Sequence, residues 1–188
     1  MKKISNAISA SLALLIGTQC ACAAETEFQI TPRVGFSSLK VGRFVGVNAE
    51  DKTTETLGIG AGFGVRIPLG IVLEIGADEF SDLDLFDELD GFTLKQRFVD
   101  VGYQFELGDA WRIVPRIGRA KWKLRSEEGR LFNPGLEASR NIRGNDNFFE
   151  LSVSRRISKV VALGGSYRYG NYGFGRNGTT AFLVTVSF

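Results

Sequence analysis

The feature that most constrains this chain is a two-residue alternation that recurs through most of its length. Between Leu57 and Ile67, Leu57, Ile59, Ala61, Phe63, Val65 and Ile67 share one parity, and Gly58, Gly60, Gly62, Gly64 and Arg66 share the other. Side chains of an extended strand point to opposite faces in turn, so this stretch is a strand with one apolar face and one nearly bare face. The glycines do not make a phosphate loop. A dinucleotide fingerprint needs G-x-G-x-x-G opening a helix, and a Walker loop ends in Gly-Lys-Ser/Thr. Here the third glycine comes one residue early and is followed by Val65 and Arg66.

The same alternation is found at Phe28–Ser37, Ile71–Asp78, Val99–Leu107, Trp111–Leu124, Phe149–Ile157, Val161–Tyr169 and Ala181–Phe188. In the fifth of the eight segments the apolar parity changes from Trp111, Ile113, Pro115 and Ile117 to Ala120, Trp122 and Leu124. A β-bulge near Gly118 is the expected cause. Eight strands, each near the ~9–11 residues that cross a bilayer when tilted, predict an all-β chain. Its connections alternate in length. Pro68–Gly70, Gly108–Ala110 and Ser158–Lys159 are short, whereas Gly42–Glu55, Asp82–Phe92, Ser126–Asn145 and Gly173–Gly178 are longer and polar. Short turns on one rim and long loops on the other are expected of an eight-stranded antiparallel up-and-down transmembrane β-barrel.

The N-terminus reads as a secretory signal: Lys2 and Lys3, an apolar run from Ile8 to Gly17, then Ala21-Cys22-Ala23-Ala24. Residues 1–24 are therefore expected to be removed, leaving 25–188 as the barrel domain. Both cysteines, Cys20 and Cys22, lie in the removed part, so no disulfide or thiol chemistry is expected. The signal carries two basic residues and no acidic one, so the chain's 23 basic and 21 acidic residues become 21 of each. That balance lacks the basic excess of a nucleic-acid binder.

A soluble eight-stranded calyx turns its apolar face inward, and a membrane barrel turns it outward. The polar parity here is dominated by glycine, serine and charges of both signs, which suits a crowded interior. An eight-stranded barrel is only wide enough for its side chains to fill. By parity Arg33, Arg66, Arg112, Arg116, Arg156 and Arg168 point inward with Glu74, Asp78, Asp100, Glu106 and Glu150. Six positive and five negative groups must pair, because a lone buried charge costs several kcal/mol. The expectation is a salt-bridged plug, with the four glycines making room for long side chains from other strands.

The signal, the eight amphipathic strands, the Cys-free mature chain and the ending Leu183-Val184-Thr185-Val186-Ser187-Phe188 resemble the small outer-membrane barrel proteins of Gram-negative bacteria, over Glu25 to Phe188. In that family the barrel-assembly machinery reads a C-terminal Phe preceded by apolar residues at alternate positions. The resemblance implies that role for Phe182, Val184, Val186 and Phe188. It also implies an outer-membrane location in contact with lipid and lipopolysaccharide. The wider group holds opacity-like adhesins, the barrel half of peptidoglycan-anchoring porins and lipid-A-modifying enzymes, and the strand pattern does not separate these.

Trp111 and Phe105 near the turn rim, with Trp122, Tyr167, Tyr169 and Tyr172 higher up, are candidates for two aromatic girdles. The chain has no histidine, the commonest general base, so no enzymatic activity and no cofactor are expected. The segment Asp78–Asp90 is acidic, and Arg125, Arg130, Arg140 and Arg143 make its neighbour basic. Asp82, Asp84 and Asp87 lack calcium-loop spacing, so pairing of the two loops is expected and no metal. The basic loop could instead meet lipopolysaccharide phosphates. Phe44, Phe86, Leu89, Phe92, Leu131, Phe132 and Phe174 add apolar groups that pack the loops together or form an adhesive patch. The functional expectation is a barrel serving envelope structure or surface interaction through its loops. A narrow low-conductance channel is the alternative, and a lipid-modifying enzyme a distant third.

Overall fold

The computed structural model describes residues 26–41, 52–82, 90–128 and 140–188. The expected signal segment, residues 42–51 and 129–139, and most of the acidic loop lie outside them, as do Phe44, Asp84, Phe86, Asp87, Leu89, Arg130, Leu131 and Phe132. Eight antiparallel strands follow one another: β1 (Glu27–Val41), β2 (Lys52–Arg66), β3 (Ile71–Asp82), β4 (Asp90–Tyr103, continued past Gln104 by Phe105–Leu107), β5 (Trp111–Glu128), β6 (Arg140–Arg156), β7 (Val161–Tyr172) and β8 (Gly175–Ser187). Each pairs with the next, and β1 pairs with β8, so the sheet closes.

The closure fixes how far the strands tilt. Cα partners can be followed from Val65 through Leu73, Val101, Ile117, Phe149, Tyr169, Gly178 and Ser38. They return to β2 at Glu55, ten residues from the start. A stagger of that size over eight strands corresponds to a tilt of about 40°. At that tilt, about ten residues span the ~25 Å apolar band of an outer-membrane barrel.

That band is present on the outside. Phe28, Ile30, Val34 and Phe36 of β1, Leu57, Ile59 and Phe63 of β2, and their counterparts on the other strands are exposed, Ile59 to 69% and Ile117 to 65%. So much outward apolar surface has no place in water, and buried polar residues occupy the opposite parity. The final strand is stitched to the first: Phe28 and Phe188 exchange backbone hydrogen bonds of 2.9 and 3.0 Å, and their rings stack at 6.4 Å. Phe182, Val186 and Phe188 lie on the outer face, and Val184 on the same parity is half-buried.

The structure corrects the expected bulge. Register runs unbroken through Gly118 on both sides, with Asp100 opposite Gly118 and Phe98 opposite Ala120, then Ile117 opposite Phe149 and Ala120 opposite Asp146. Ala120, Trp122 and Leu124 therefore point inward, all buried. Apolar residues change parity there because the interior itself turns apolar, not because the strand slips.

The loops are also shorter than expected. β2 begins at Lys52, β5 reaches Glu128 and β6 begins at Arg140, so Arg125, Arg140 and Arg143 stand on strands, as do Asp82 and Phe92. The fourth loop is a two-residue turn, Gly173 and Phe174, after which β8 runs directly through Asn177 and Gly178. Phe174 is 1% exposed and packs inside the barrel rather than on its surface.

Candidate functional site

The lumen is filled in three tiers. Nearest the short turns, Arg66 grips Glu27 through Nε at 2.9 Å and Nη2 at 2.6 Å. Arg112 reaches Glu27 at 3.6 Å, and Glu106 receives Arg66 at 3.9 Å and Arg156 at 3.5 Å. Glu27 was not among the sequence candidates. It sits just after the expected cleavage point, yet it shares the inward parity of Gln29, Thr31 and Arg33. It supplies the sixth negative charge, so the two ionic tiers balance six against six.

At mid-height lie three guanidiniums and four carboxylates. Arg168 donates to Glu150 Oε2 from Nε at 2.7 Å and to Asp78 Oδ2 at 2.6 Å. Arg33 hydrogen-bonds Glu74 and approaches Glu150 at 3.5 Å and Asp78 at 3.8 Å. Arg116 donates to Ser152 Oγ at 2.7 Å and lies 3.6–3.7 Å from Asp100, Glu150 and Glu74. The eleven charged candidates thus meet in two clusters: Arg66, Glu106, Arg112 and Arg156 at the turn rim, and Arg33, Glu74, Asp78, Asp100, Arg116, Glu150 and Arg168 at mid-height. The rim tier carries one excess positive charge and the middle tier one excess negative charge, so each offsets the other.

The bare face of β2 makes this possible. A Cβ at Gly60 would overlap Asp78 Oδ1, one at Gly62 would overlap Glu74 Oε1, and one at Gly58 would strike the Phe80 ring. Gly64 differs, since its nearest neighbour would be the Leu73 carbonyl at 3.2 Å. Three of the four glycines are thus cut to fit a side chain of β3.

Above the charges the lumen becomes aromatic. Phe98 and Phe148 meet edge to face at 6.0 Å and cap the ionic tier. Arg168 Cζ stands 4.2 and 4.5 Å from their centroids, and Arg33 Cζ 5.0 Å from that of Phe98, within cation–π range. Both rings lie one inward step beyond a charged candidate, Asp100 and Glu150, so extending the alternation two residues up each strand would have found them. Higher still, Trp122, Tyr172 and Phe174 pack at 4.8–6.2 Å between centroids, beside Leu39, Phe80, Leu94 and Leu124. Asp146 Oδ2 ties this layer down, accepting from Trp122 Nε1 at 2.7 Å and from the Gly173 amide at 3.0 Å. Trp122 and Tyr172 are therefore lumenal and not girdle residues. Tyr167 and Tyr169 do face outward, and Trp111 is exposed at the other rim under the Arg155 guanidinium.

A cavity of about 10 Å³ remains between Arg33, Gly60, Asp78, Glu150 and Arg168, room for about one water. Among the described residues no cluster of His, Cys, Asp or Glu is arranged to hold a metal ion.

No protein-family model and no curated protein matches the sequence. Solved structures do match the fold. Neisserial surface protein A superposes with a TM-score of 0.67 at 12% identity, covering 88% of this chain and all of that one. The attachment invasion locus protein Ail of Yersinia pestis gives 0.62 at 13%, again over 88% of this chain and all of that one. The N-terminal barrel domain of Pseudomonas aeruginosa OprF gives 0.55 at 12%, over 87% and 98%. The fold is that of the small eight-stranded bacterial outer-membrane β-barrels. With its apolar exterior band, it is the fold of a protein that resides in that membrane.

Proposed function

We propose that this chain is a closed outer-membrane barrel that serves envelope structure or surface interaction through its loop end. The observation that carries this reading is the filled lumen: two ionic tiers and an aromatic layer occupy the interior while the exterior is a lipid-facing belt. A channel would need a path past both the guanidinium cluster, capped by Phe98 and Phe148 through cation–π contacts, and the Trp122, Tyr172 and Phe174 stack above it. Surface interaction is supported by the fold's company. Ail, an attachment and invasion protein by name, has also been solved in complex with the heparin analogue sucrose octasulfate.

The same reading takes residues 1–24 as an export signal, assigns Phe182, Val184, Val186 and Phe188 to recognition by the barrel-assembly machinery, and assigns the paired charges to holding the lumen shut. The test has two parts. Refolded protein should migrate differently on a denaturing gel before and after boiling, and identical mobility would refute a closed barrel. In a planar bilayer it should pass no discrete current at either polarity. A reproducible conductance abolished by Arg33→Ala or Asp78→Ala would replace the plug with a narrow channel.

A further inference from the structure

Above the belt the outer surface carries its densest run of cations on one side. On β4 and β5 the residues directly above the belt members Val99 and Ile117 are Arg97 and Arg119, followed by Lys95, Lys121 and Lys123, all exposed. Arg143 of β6 joins them. Register sets these cations against one another: Arg97 faces Lys121, Lys95 faces Lys123, and Lys123 also faces Arg143. On β7, β8 and β1 the outward positions just above the belt are Asn171, Gly178 and Ser38, and one step higher the exposed Arg176 and Lys40 face each other.

Like charges directly opposite on a sheet repel and cost stability. Lys95 has a carboxylate partner, Glu79 at 2.8 Å. Among the described residues, Arg97, Arg119, Lys121, Lys123 and Arg143 form no ion pair. Such a lattice implies an anion with several charges. Its place decides which one. Neighbouring strands put cations about 5 Å apart, and successive outward residues of one strand about 7 Å apart. The lowest members sit one outward step above residues that face acyl chains, which is the level of a lipid's headgroup.

We propose that this face of β4, β5 and β6 binds the phosphate-bearing headgroup of an outer-leaflet lipid whose acyl chains lie against Val99, Ile117 and Phe149. Guanidinium and ammonium groups suit phosphate, arginine by paired N–H donors and lysine as a point charge. The concentration of cations on three neighbouring strands makes the contact oriented, so a bound lipid would sit at a fixed place on the circumference instead of forming a uniform annulus. The inference rests on the reading of the chain as a membrane barrel, and the gel shift on the same sample reports that reading separately.

The experiment uses the full chain refolded in zwitterionic micelles, with fluorescent diphosphoryl lipid A and its dephosphorylated counterpart as probes. The diphosphoryl lipid should be retained, and the triple variant Arg97→Gln, Lys121→Gln, Lys123→Gln should weaken retention at least about tenfold, an effect that added salt also produces. Lys159→Gln at the opposite rim should leave retention unchanged. Equal retention of the two lipids, or of one lipid by wild type and triple variant, would overturn the proposal. So would free pyrophosphate binding as tightly as the lipid, which would make the face a soluble-phosphate site. Without lipid A the triple variant should unfold at the same temperature or higher, because repulsion is relieved. A lower midpoint would show that the chain's own carboxylates neutralise the face, and would also overturn it.

Discussion

The middle and upper tiers of the lumen are enclosed by the same strands in the same register, yet they fill the space in opposite ways. The middle tier joins charges far apart in sequence, such as Arg168 with Asp78 across ninety residues, and every guanidinium there touches at least two carboxylates. The upper tier is packed by volume, with Trp122, Tyr172 and Phe174 in mutual ring contact. A one-residue slip of any strand would turn its charges out into lipid. Charged packing therefore selects the register, whereas aromatic packing tolerates small shifts and seals the end.

The largest expected effect breaks the middle tier. Arg168→Ala leaves Asp78 and Glu150 without their main partner and should cost about 3–5 kcal/mol, read from the urea unfolding midpoint of the refolded barrel. Arg168→Met combined with Glu150→Leu should recover the part of that loss due to Glu150, because a matched apolar replacement removes both desolvated charges of that pair, whereas Asp78 keeps only Arg33 at 3.8 Å. If the double variant is no better than the single one, the charges are not acting as a pair.

Next is the glycine face. Gly60→Ala forces a methyl group into the Asp78 carboxylate and within 2.7 Å of the Ala77 carbonyl, so about 1–3 kcal/mol should be lost. Gly64→Ala, with looser surroundings, should lose clearly less. Equal losses at the two positions would mean that glycine serves strand flexibility and not lumenal space.

In the upper tier Trp122→Phe keeps a ring but removes the indole donor to Asp146, and about 2 kcal/mol is expected, since hydrogen bonds to charged groups run to about 1.5–3 kcal/mol. The smallest effect should come from Asp100→Asn. Asp100 meets Arg116 Nε only at 3.6 Å, and it belongs to the tier with one carboxylate too many. Its neutralisation should leave the midpoint unchanged or raise it. A large loss would place Asp100 beside Glu150 as an essential partner and erase the distinction between them.

Much of this was legible in the chain. Parity assigned every charged lumenal candidate to the inner face and Ile59, Ile117 and Phe149 to the outer one, because strand alternation is local and needs no knowledge of neighbours. The errors fell where alternation continued but polarity did not. Ala120, Trp122 and Leu124 looked like a slipped outer face, since an apolar residue reads as lipid-facing when the rest of the interior is polar. Phe98 and Phe148 lie one residue before the starts expected for their strands, limits that a sequence marks poorly, and both are mid-strand in the structure. Glu27 was hidden by its closeness to the signal.

The sequence by itself determined the strand periodicity, the sidedness of each strand and the near-balance of buried charge, all of which follow from residue spacing along one segment. Tertiary structure alone decided which Arg meets which carboxylate, where ions give way to rings, and that the exterior cations stand opposite one another on three strands. Those facts depend on the stagger accumulated around a closed barrel. That stagger is ten residues here, and it is set only when β8 pairs with β1.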